Sequence, residues 1–426
     1  MSHQPVEIRP DSNERALPWY RGATKAQWQS FWAAFFGWML DIMDLMLYSM
    51  VIVYVMQDLE LTQSVAGTIA SATLIASAFG GIIFGFVADR WGRTKSMIFS
   101  ILIYSFATVL CGFSETATQL MVFRILVGLG MGGEWSAGAA LVMETWPAKH
   151  RNIVMAFVQS GFAVGYAAAA LITAIVIPMF GWRGVFFAGV IPALLALWIR
   201  KHTPESHMWK NQTKRLSFKQ TMGILIGNHA PITIVCILFT MFSLLGYWGL
   251  FTWLPTYLST PQSAGGPGLD IVKTSGWIIA SQVGAWLGYI LFGVIASKIG
   301  KKSTFVLYFA ISALAVPMYI LIKNEILLLF FGTIVAFFGT GYHSGFAPTF
   351  SALYPTEIRA TAQGIIYNVS RGVSAFAPFI IGQMAMSKGL GASLMMTGGC
   401  FAISAIIVLL FLKEPKGFVD EVNISL

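Results

Sequence analysis

The chain has 426 residues, of which 56% are hydrophobic and 11% charged, with a mean hydropathy of +0.71 and a formal net charge of +9. Soluble domains carry about a quarter charged residues, so this balance excludes a water-soluble enzyme, a disordered regulator and a secreted domain. It indicates a polytopic membrane protein. Cys111, Cys236 and Cys400 all lie in apolar runs, which leaves neither a disulfide framework nor a metal-binding CxxC pair.

A membrane-crossing helix needs about 20 mostly apolar residues. The polar tail 1–27 has no apolar core, so no signal peptide is expected. Six apolar stretches follow at 29–56, 64–88, 96–113, 118–143, 153–179 and 184–200. A basic polar segment at 201–222 separates them from six more at 231–259, 272–296, 303–322, 326–352, 361–386 and 391–412, before the tail 413–426. The expected architecture is all-α with twelve transmembrane helices, a six-helix bundle over 28–200 and a second over 223–412. Lys and Arg in short loops set orientation. With both termini cytoplasmic, 21 of the 27 cationic residues fall inside, four outside and two within spans. The positive charge is therefore a topological signature and not a nucleic-acid footprint.

The two halves repeat. Gly85-Phe-Val-Ala-Asp-Arg-Trp-Gly-Arg-Thr-Lys95 follows span 2, and Gly293-Val-Ile-Ala-Ser-Lys-Ile-Gly-Lys-Lys302 follows span 8, at an offset of 208. Pro147-Ala-Lys-His-Arg151 and Pro355-Thr-Glu-Ile-Arg359 follow spans 4 and 10 at the same offset. Parallel six-helix repeats of this kind build many secondary transporters. In the 2–3 loop, Gly85 permits close helix approach and Gly92 a tight turn, while Asp89, among Arg90, Arg93 and Lys95, can pair with a cytoplasmic Arg. Together with Glu144, Arg151, Lys298 and Arg359, these residues are candidates for a gate that latches one conformation, besides fixing topology.

The GxxxDRxGR run, its echo after span 8, and Arg124-x3-Gly128-x-Gly130-x-Gly132 in span 4 resemble the major facilitator superfamily over about 28–412. Glu144-x2-Pro147-x3-Arg151 is similar to the acid–arginine element at the span 4 exit of sugar-porter-like members. Pro18-Trp-Tyr-Arg21, Ala26-Gln-Trp28, Leu40-Asp-x2-Asp44, Gly130-Met-Gly-Gly-Glu134, Glu144-Thr-Trp-Pro147, Tyr367-Asn368 and Ala377-Pro378 resemble the sialate:proton symporter family, which includes lactate and pyruvate carriers. Long sialic acid carriers of that family have two extra central spans, which this chain lacks. The resemblance implies alternating access between two bundles, powered by the proton gradient with no other cofactor. It implies a plasma (inner) membrane location and a small organic acid as substrate.

Ionisable groups at membrane depth are costly and point to function. Asp41 and Asp44 share one face of span 1, about 20–24 Å from its cytoplasmic end at ~1.5 Å per residue. Arg124 lies ~9 Å inside the outer end of span 4, within reach of Asp44. Removal from water favours a protonated carboxyl and an adjacent guanidinium favours the charged form. A carboxylate whose Arg contact makes and breaks thus takes up and releases protons; a permanent structural ion pair is the alternative. In sugar-porter-like members a span 1 Asp and the span 4 Arg form such a pair, which the resemblance carries to Arg124 with Asp44 or Asp41. Glu134, in the Gly-rich part of span 4, is a second proton site or a gate salt bridge. His343, from a residue type that titrates near neutral pH, is a proton shuttle, a substrate ligand or a packing residue.

Arg371 lies about 15 Å into span 11, near the midplane, and the second half offers no buried acid at that depth. It needs a first-half carboxylate or an anionic ligand, and its fork suits a carboxylate. Sialate-type carriers tend to have a small residue here, so the Arg favours a small organic acid. Tyr48, Gln159, Gln282, Tyr342 and Asn368, with Tyr247, Trp248 and Trp253, are uncharged candidates to line the same cavity. The expected activity is proton-coupled uptake of a small organic acid anion by a monomer in the bilayer. A carrier of a neutral sugar, quaternary amine or drug and a non-transporting sensor are the alternatives. An enzyme is disfavoured, since no HExxH, GxSxG, Cys nucleophile or phosphate loop is present.

Overall fold

Five of the helices, among the described residues, begin behind a residue whose side chain accepts a hydrogen bond from a free backbone N–H of the first turn. The computed structural model describes residues 20–203, 205, 223, 227, 229–354 and 359–413; the side chains at 86, 89, 135, 136, 148, 149, 152, 200 and 359–361 fall outside the described set. The tails and most of the 201–222 segment therefore lie outside it too. All regular structure among the described residues is helical.

The first half contains α1 (Lys25–Asp58), α2 (Gln63–Trp91), α3 (Arg93–Cys111), α4 (Ala117–Thr145), α5 (Ala148–Phe187) and α6 (Ile191–His202). The second contains α7 (Ala230–Ser259), α8 (Ile271–Ile299), α9 (Lys301–Leu321), α10 (Glu325–Gly341), α11 (His343–Leu353), α12 (Arg359–Ser374), α13 (Ala377–Lys388) and α14 (Leu390–Phe411). Eleven stretches among the described residues are long and apolar enough to cross a membrane. The expected spans 5 and 6 form one of them, Ile153–Ile199, interrupted at Gly181, whose φ of 66° and ψ of −172° break the helix. Spans 10 and 11 are each in two pieces, α10 with α11 and α12 with α13.

The repeat is written into the helix ends. Thr62 accepts from Val65 N at the start of α2, and Asp270, 208 residues later, accepts from Lys273 N at the start of α8. Thr116 caps α4 and Asn324 caps α10 in the same relation. Gly92 (φ 108°, ψ 155°) and Gly300 (φ 86°, ψ 158°) turn the chain between consecutive helices in both halves, in a region that only glycine enters freely.

Within the first half α2 packs on α4, α1 on α4 and α5, and α3 on α4; within the second α8 packs on α10, and α14 on α7 and α9. Lipid supplies no hydrophobic drive between such helices, so close backbone contact carries the packing. A Cβ at Gly80 would overlap the Leu129 carbonyl on α4, and one at Gly288 would overlap the Phe337 carbonyl on α10. The halves meet through α5 with α8, α2 with α13, and α1 with α7. At that seam Tyr166 Oη donates to the Phe251 carbonyl at 2.9 Å.

Candidate functional site

Span 1 delivers both aspartates to the interior, and the structure sends them to different partners. Asp44 accepts from Thr108 Oγ1 on α3 at 2.8 Å. Arg124 on α4, 1% exposed, donates from Nη1 to the Asp44 backbone carbonyl at 3.4 Å and lies 5.1 Å over the Tyr48 ring. The Asp44 and Arg124 side chains are electrostatic neighbours without a direct salt bridge. Tyr48 is held in turn by donating to the Ala66 carbonyl at 3.0 Å. Arg124 and Tyr48 line a small cavity with Ser49, Trp248 and Thr252, between α1, α2, α4 and α7.

Asp41 faces elsewhere. The charged groups in electrostatic range of it are Glu134 on α4, Arg371 on α12, and Asp44. Glu134 is fully buried, and neither its carboxylate oxygens nor those of Asp41 have a hydrogen-bond partner among the described residues. Glu134 presses on α1 where Gly37 leaves room: a methyl there would overlap its carboxylate. Gly37 and Asp41 are one turn apart, so Glu134 stands on the Asp41 face. Tyr104 on α3, buried with its hydroxyl unpartnered among the described residues, is in electrostatic range of Asp41, Asp44 and Glu134. Glu134 also lines a second small cavity with Trp38, Gly138 and Met155. The expected alternative of a salt bridge from Glu134 to a basic-loop Arg is absent among the described residues.

Arg371 is 5% exposed, and its guanidinium makes no hydrogen bond or salt bridge to another described residue. It sits in the last turn of α12, just before that helix breaks ahead of α13. His343 occupies the equivalent break between α10 and α11. Its Nδ1 lies 2.7 Å from the Thr340 carbonyl, which can only accept, so Nδ1 carries the proton and Nε2 the lone pair in the neutral ring. Discontinuous helices in carriers commonly mark the binding level.

The remaining candidates divide. Tyr342 donates to the Ser243 carbonyl at 2.9 Å and stacks on His343 with centroids 4.4 Å apart. Buried Gln282 donates to Ser281 Oγ at 3.4 Å on α8. Asn368 stands across from Gly81 on α2, and Gln159 is half-buried on α5. Trp253 is buried and donates to the Pro378 carbonyl at 2.9 Å.

At the end bearing the basic loops, Arg93 is buried and pairs with Glu144 at 3.0 Å, joining α3 to α4. Arg151, the acid's expected partner by resemblance, instead donates to the Trp146 carbonyl at 2.9 Å. At Gly85 an added Cβ would meet nothing within 4 Å, so among the described residues no helix makes the close approach expected there. Arg90 and Lys298 are exposed. The Asp89 and Arg359 side chains lie outside the described residues. Sequence reasoning passed over Glu205, whose carboxylate accepts from Arg93 N at 2.8 Å and Thr94 N at 3.2 Å. It caps α3 from the far end of α6, and only Gly92 leaves space for it. It also missed Thr108, Tyr104 and Phe162, because neutral and apolar side chains inside spans carry no signal of their own.

Residues 34–269 and 271–421 match the Major Facilitator Superfamily. The sialic acid transporter NanX of Escherichia coli is 33% identical over 96% of this chain and 100% of its own length. The cis,cis-muconate transport protein of Acinetobacter baylyi is 31% identical over 91% of this chain and 94% of its own. Among solved structures, a D-xylose-proton symporter superposes with a TM-score of 0.76 at 18% identity, over 92% of this chain and 99% of that one. The fold, the internal repeat and these matches establish that the chain belongs to the major facilitator superfamily and is a multi-pass membrane transporter, not an enzyme.

Proposed function

We propose that this chain imports a small organic acid anion together with protons. The anion is a monocarboxylate such as lactate or pyruvate, or a sialate-like acid. The observation that carries the reading is Arg371, a buried guanidinium with no described partner, in electrostatic range of Asp41 from the opposite half. A cation so placed is costly unless an anion meets it, and a substrate carboxylate supplies one in bidentate form. The printed names of the two relatives, a sialic acid transporter and a muconate transport protein, point to the same class.

In this reading Asp41 and Glu134 take the coupled protons, with Asp44, Thr108 and Arg124 holding span 1 in register. Arrival of anion and proton neutralises the interior and lets the halves rock, while Arg93, Glu144 and Glu205 keep the cytoplasmic end of the first half rigid. The chain crosses the plasma (inner) membrane twelve times with both termini cytoplasmic: the stretch Ile153–Ile199 is 47 residues, which at ~1.5 Å per residue is more than twice the ~30 Å bilayer core. The bundles 28–200 and 223–412 work as a monomer, joined by 201–222. The proton gradient is the energy source, with no cofactor.

The test is uptake of labelled lactate, pyruvate, sialate and benzoate into proteoliposomes with and without an inward proton gradient. Gradient-driven uptake of at least one acid is expected, with affinity lost in Arg371→Ala. Gradient-independent exchange would remove the symport reading, and unchanged affinity in Arg371→Ala would remove the carboxylate clamp.

A further inference from the structure

Aromatic rings surround His343 at the break between α10 and α11. Phe162 of α5 is the ring that crosses between the halves. Its centroid lies 5.4 Å from Tyr247 of α7, 6.5 Å from Trp248, 6.4 Å from Tyr289 of α8 and 6.2 Å from His343, the last at 22° in a stacked arrangement. Tyr247 meets His343 edge-on at 5.3 Å.

This cluster separates the two cavities. Trp38, 5.9 Å from Phe162, lines the cavity headed by Glu134, and Trp248 lines the one headed by Arg124. The cluster also leads to Arg371. Arg371 stands on α12, which packs on α7, the helix that carries Tyr247, with Ser370 Oγ donating to the Ile237 carbonyl at 3.0 Å. Its wall offers few polar points. One is the Tyr247 hydroxyl, buried and unpartnered among the described residues, and another is Nε2 of His343.

Resting on the carboxylate reading of Arg371, and replacing the lactate-, pyruvate- and sialate-like acids named with it, we infer that the transported acid carries a planar unsaturated ring, an aromatic monocarboxylate. As the halves part, the ring enters between Phe162 on one side and Tyr247 and His343 on the other, while the carboxylate meets Arg371. Rings stack offset or edge-on, and a flat π-face satisfies both walls. A saturated ring of the same carbon count presents no π-face. A polyhydroxylated acid leaves hydroxyls unpaired on this wall, each costing about tenfold in affinity, equivalent to ~1.4 kcal/mol. The Tyr247 hydroxyl is placed to pair with one polar ring substituent.

The experiment is gradient-driven uptake of labelled benzoate into proteoliposomes of the full chain, with protein-free liposomes subtracted. Unlabelled benzoate, cyclohexanecarboxylate, lactate and N-acetylneuraminate are the competitors. Cyclohexanecarboxylate is expected to compete about tenfold more weakly than benzoate, and the other two more weakly still. Phe162→Leu should shrink the benzoate preference to about twofold, and Phe162→Tyr should keep it. Equal competition by cyclohexanecarboxylate, or stronger competition by lactate or N-acetylneuraminate, overturns the aromatic assignment and leaves an organic acid carrier standing. With lactate and N-acetylneuraminate also supplied labelled in parallel, uptake of either without uptake of benzoate likewise overturns the aromatic assignment, and absence of protein-dependent uptake of all the labelled acids overturns the carrier reading itself. If Phe162→Leu does not assemble, the competition series on the unaltered chain decides alone.

Discussion

Gly37→Ala tests whether Glu134 is held against span 1. A Cβ at residue 37 would stand 2.7 Å from Cδ and 3.3 Å from Cγ of Glu134 and overlap its Oε1. The carboxylate is enclosed on its other side, since a Cβ at Gly138 would lie 3.3 Å from Oε1 and 3.4 Å from the Ala34 methyl. Overpacking of this kind costs about 1–3 kcal/mol, while Gly→Ala within a helix gains about 1 kcal/mol. In the native background the net effect is therefore a loss of about 0–2 kcal/mol. In a Glu134→Ala background the obstruction is gone, and the same substitution should stabilise by about 1 kcal/mol. The sign reverses, and the coupling of about 1–3 kcal/mol isolates the contact. Thermal unfolding of the four purified proteins in detergent provides the readout. Gly399→Ala on α14, where an added methyl meets nothing within 4 Å, serves as the reference for an unobstructed helix. Equal effects of Gly37→Ala in both backgrounds would refute the placement of Glu134.

Glu144→Ala removes the 3.0 Å pair with buried Arg93 and should lower stability by about 1–3 kcal/mol, and Arg93→Ala should cost less in that background than alone; strictly additive losses in thermal unfolding would contradict the pair. Glu205→Ala uncaps α3 and should lower stability by about 1 kcal/mol, with Glu205→Gln losing less because an acceptor remains; if neither variant changes the melting temperature, Glu205 does not hold α3. Tyr166→Phe deletes the 2.9 Å bond from α5 to the Phe251 carbonyl on α7. The loss of about 1 kcal/mol should shift the equilibrium about fivefold toward separated halves, and spin labels on α5 and α7 with an unchanged distance distribution would rule this out.

The all-helical class, the apolar stretches and the repeat were legible in the chain, because they depend on local properties: apolar run length, capping residues and glycines at fixed spacing; the twelve expected spans appear among the described residues as eleven membrane-length stretches, with spans 5 and 6 merged. Thr62 with Asp270 and Gly92 with Gly300 keep the 208-residue offset because each cap answers to its own helix end. The ionisable residues at depth were legible for the same reason, since any charge in an apolar run stands out.

Only the tertiary structure decided which faces meet. Asp41 and Asp44 are a turn apart and indistinguishable in sequence. Packing of α3 and α4 hands Asp44 to Thr108 and the vicinity of Arg124, and Asp41 to Glu134 and the range of Arg371. Glu144 was expected to join Arg151 through a short motif, yet the folded loop presents it to Arg93. Glu205 reaches α3 across more than a hundred residues of chain, and Phe162 acquires its meaning only from rings on three helices of the other half. Hydropathy and spacing are properties of neighbours along the chain, whereas a buried charge takes its role from neighbours in space, and only the packed helices supply those.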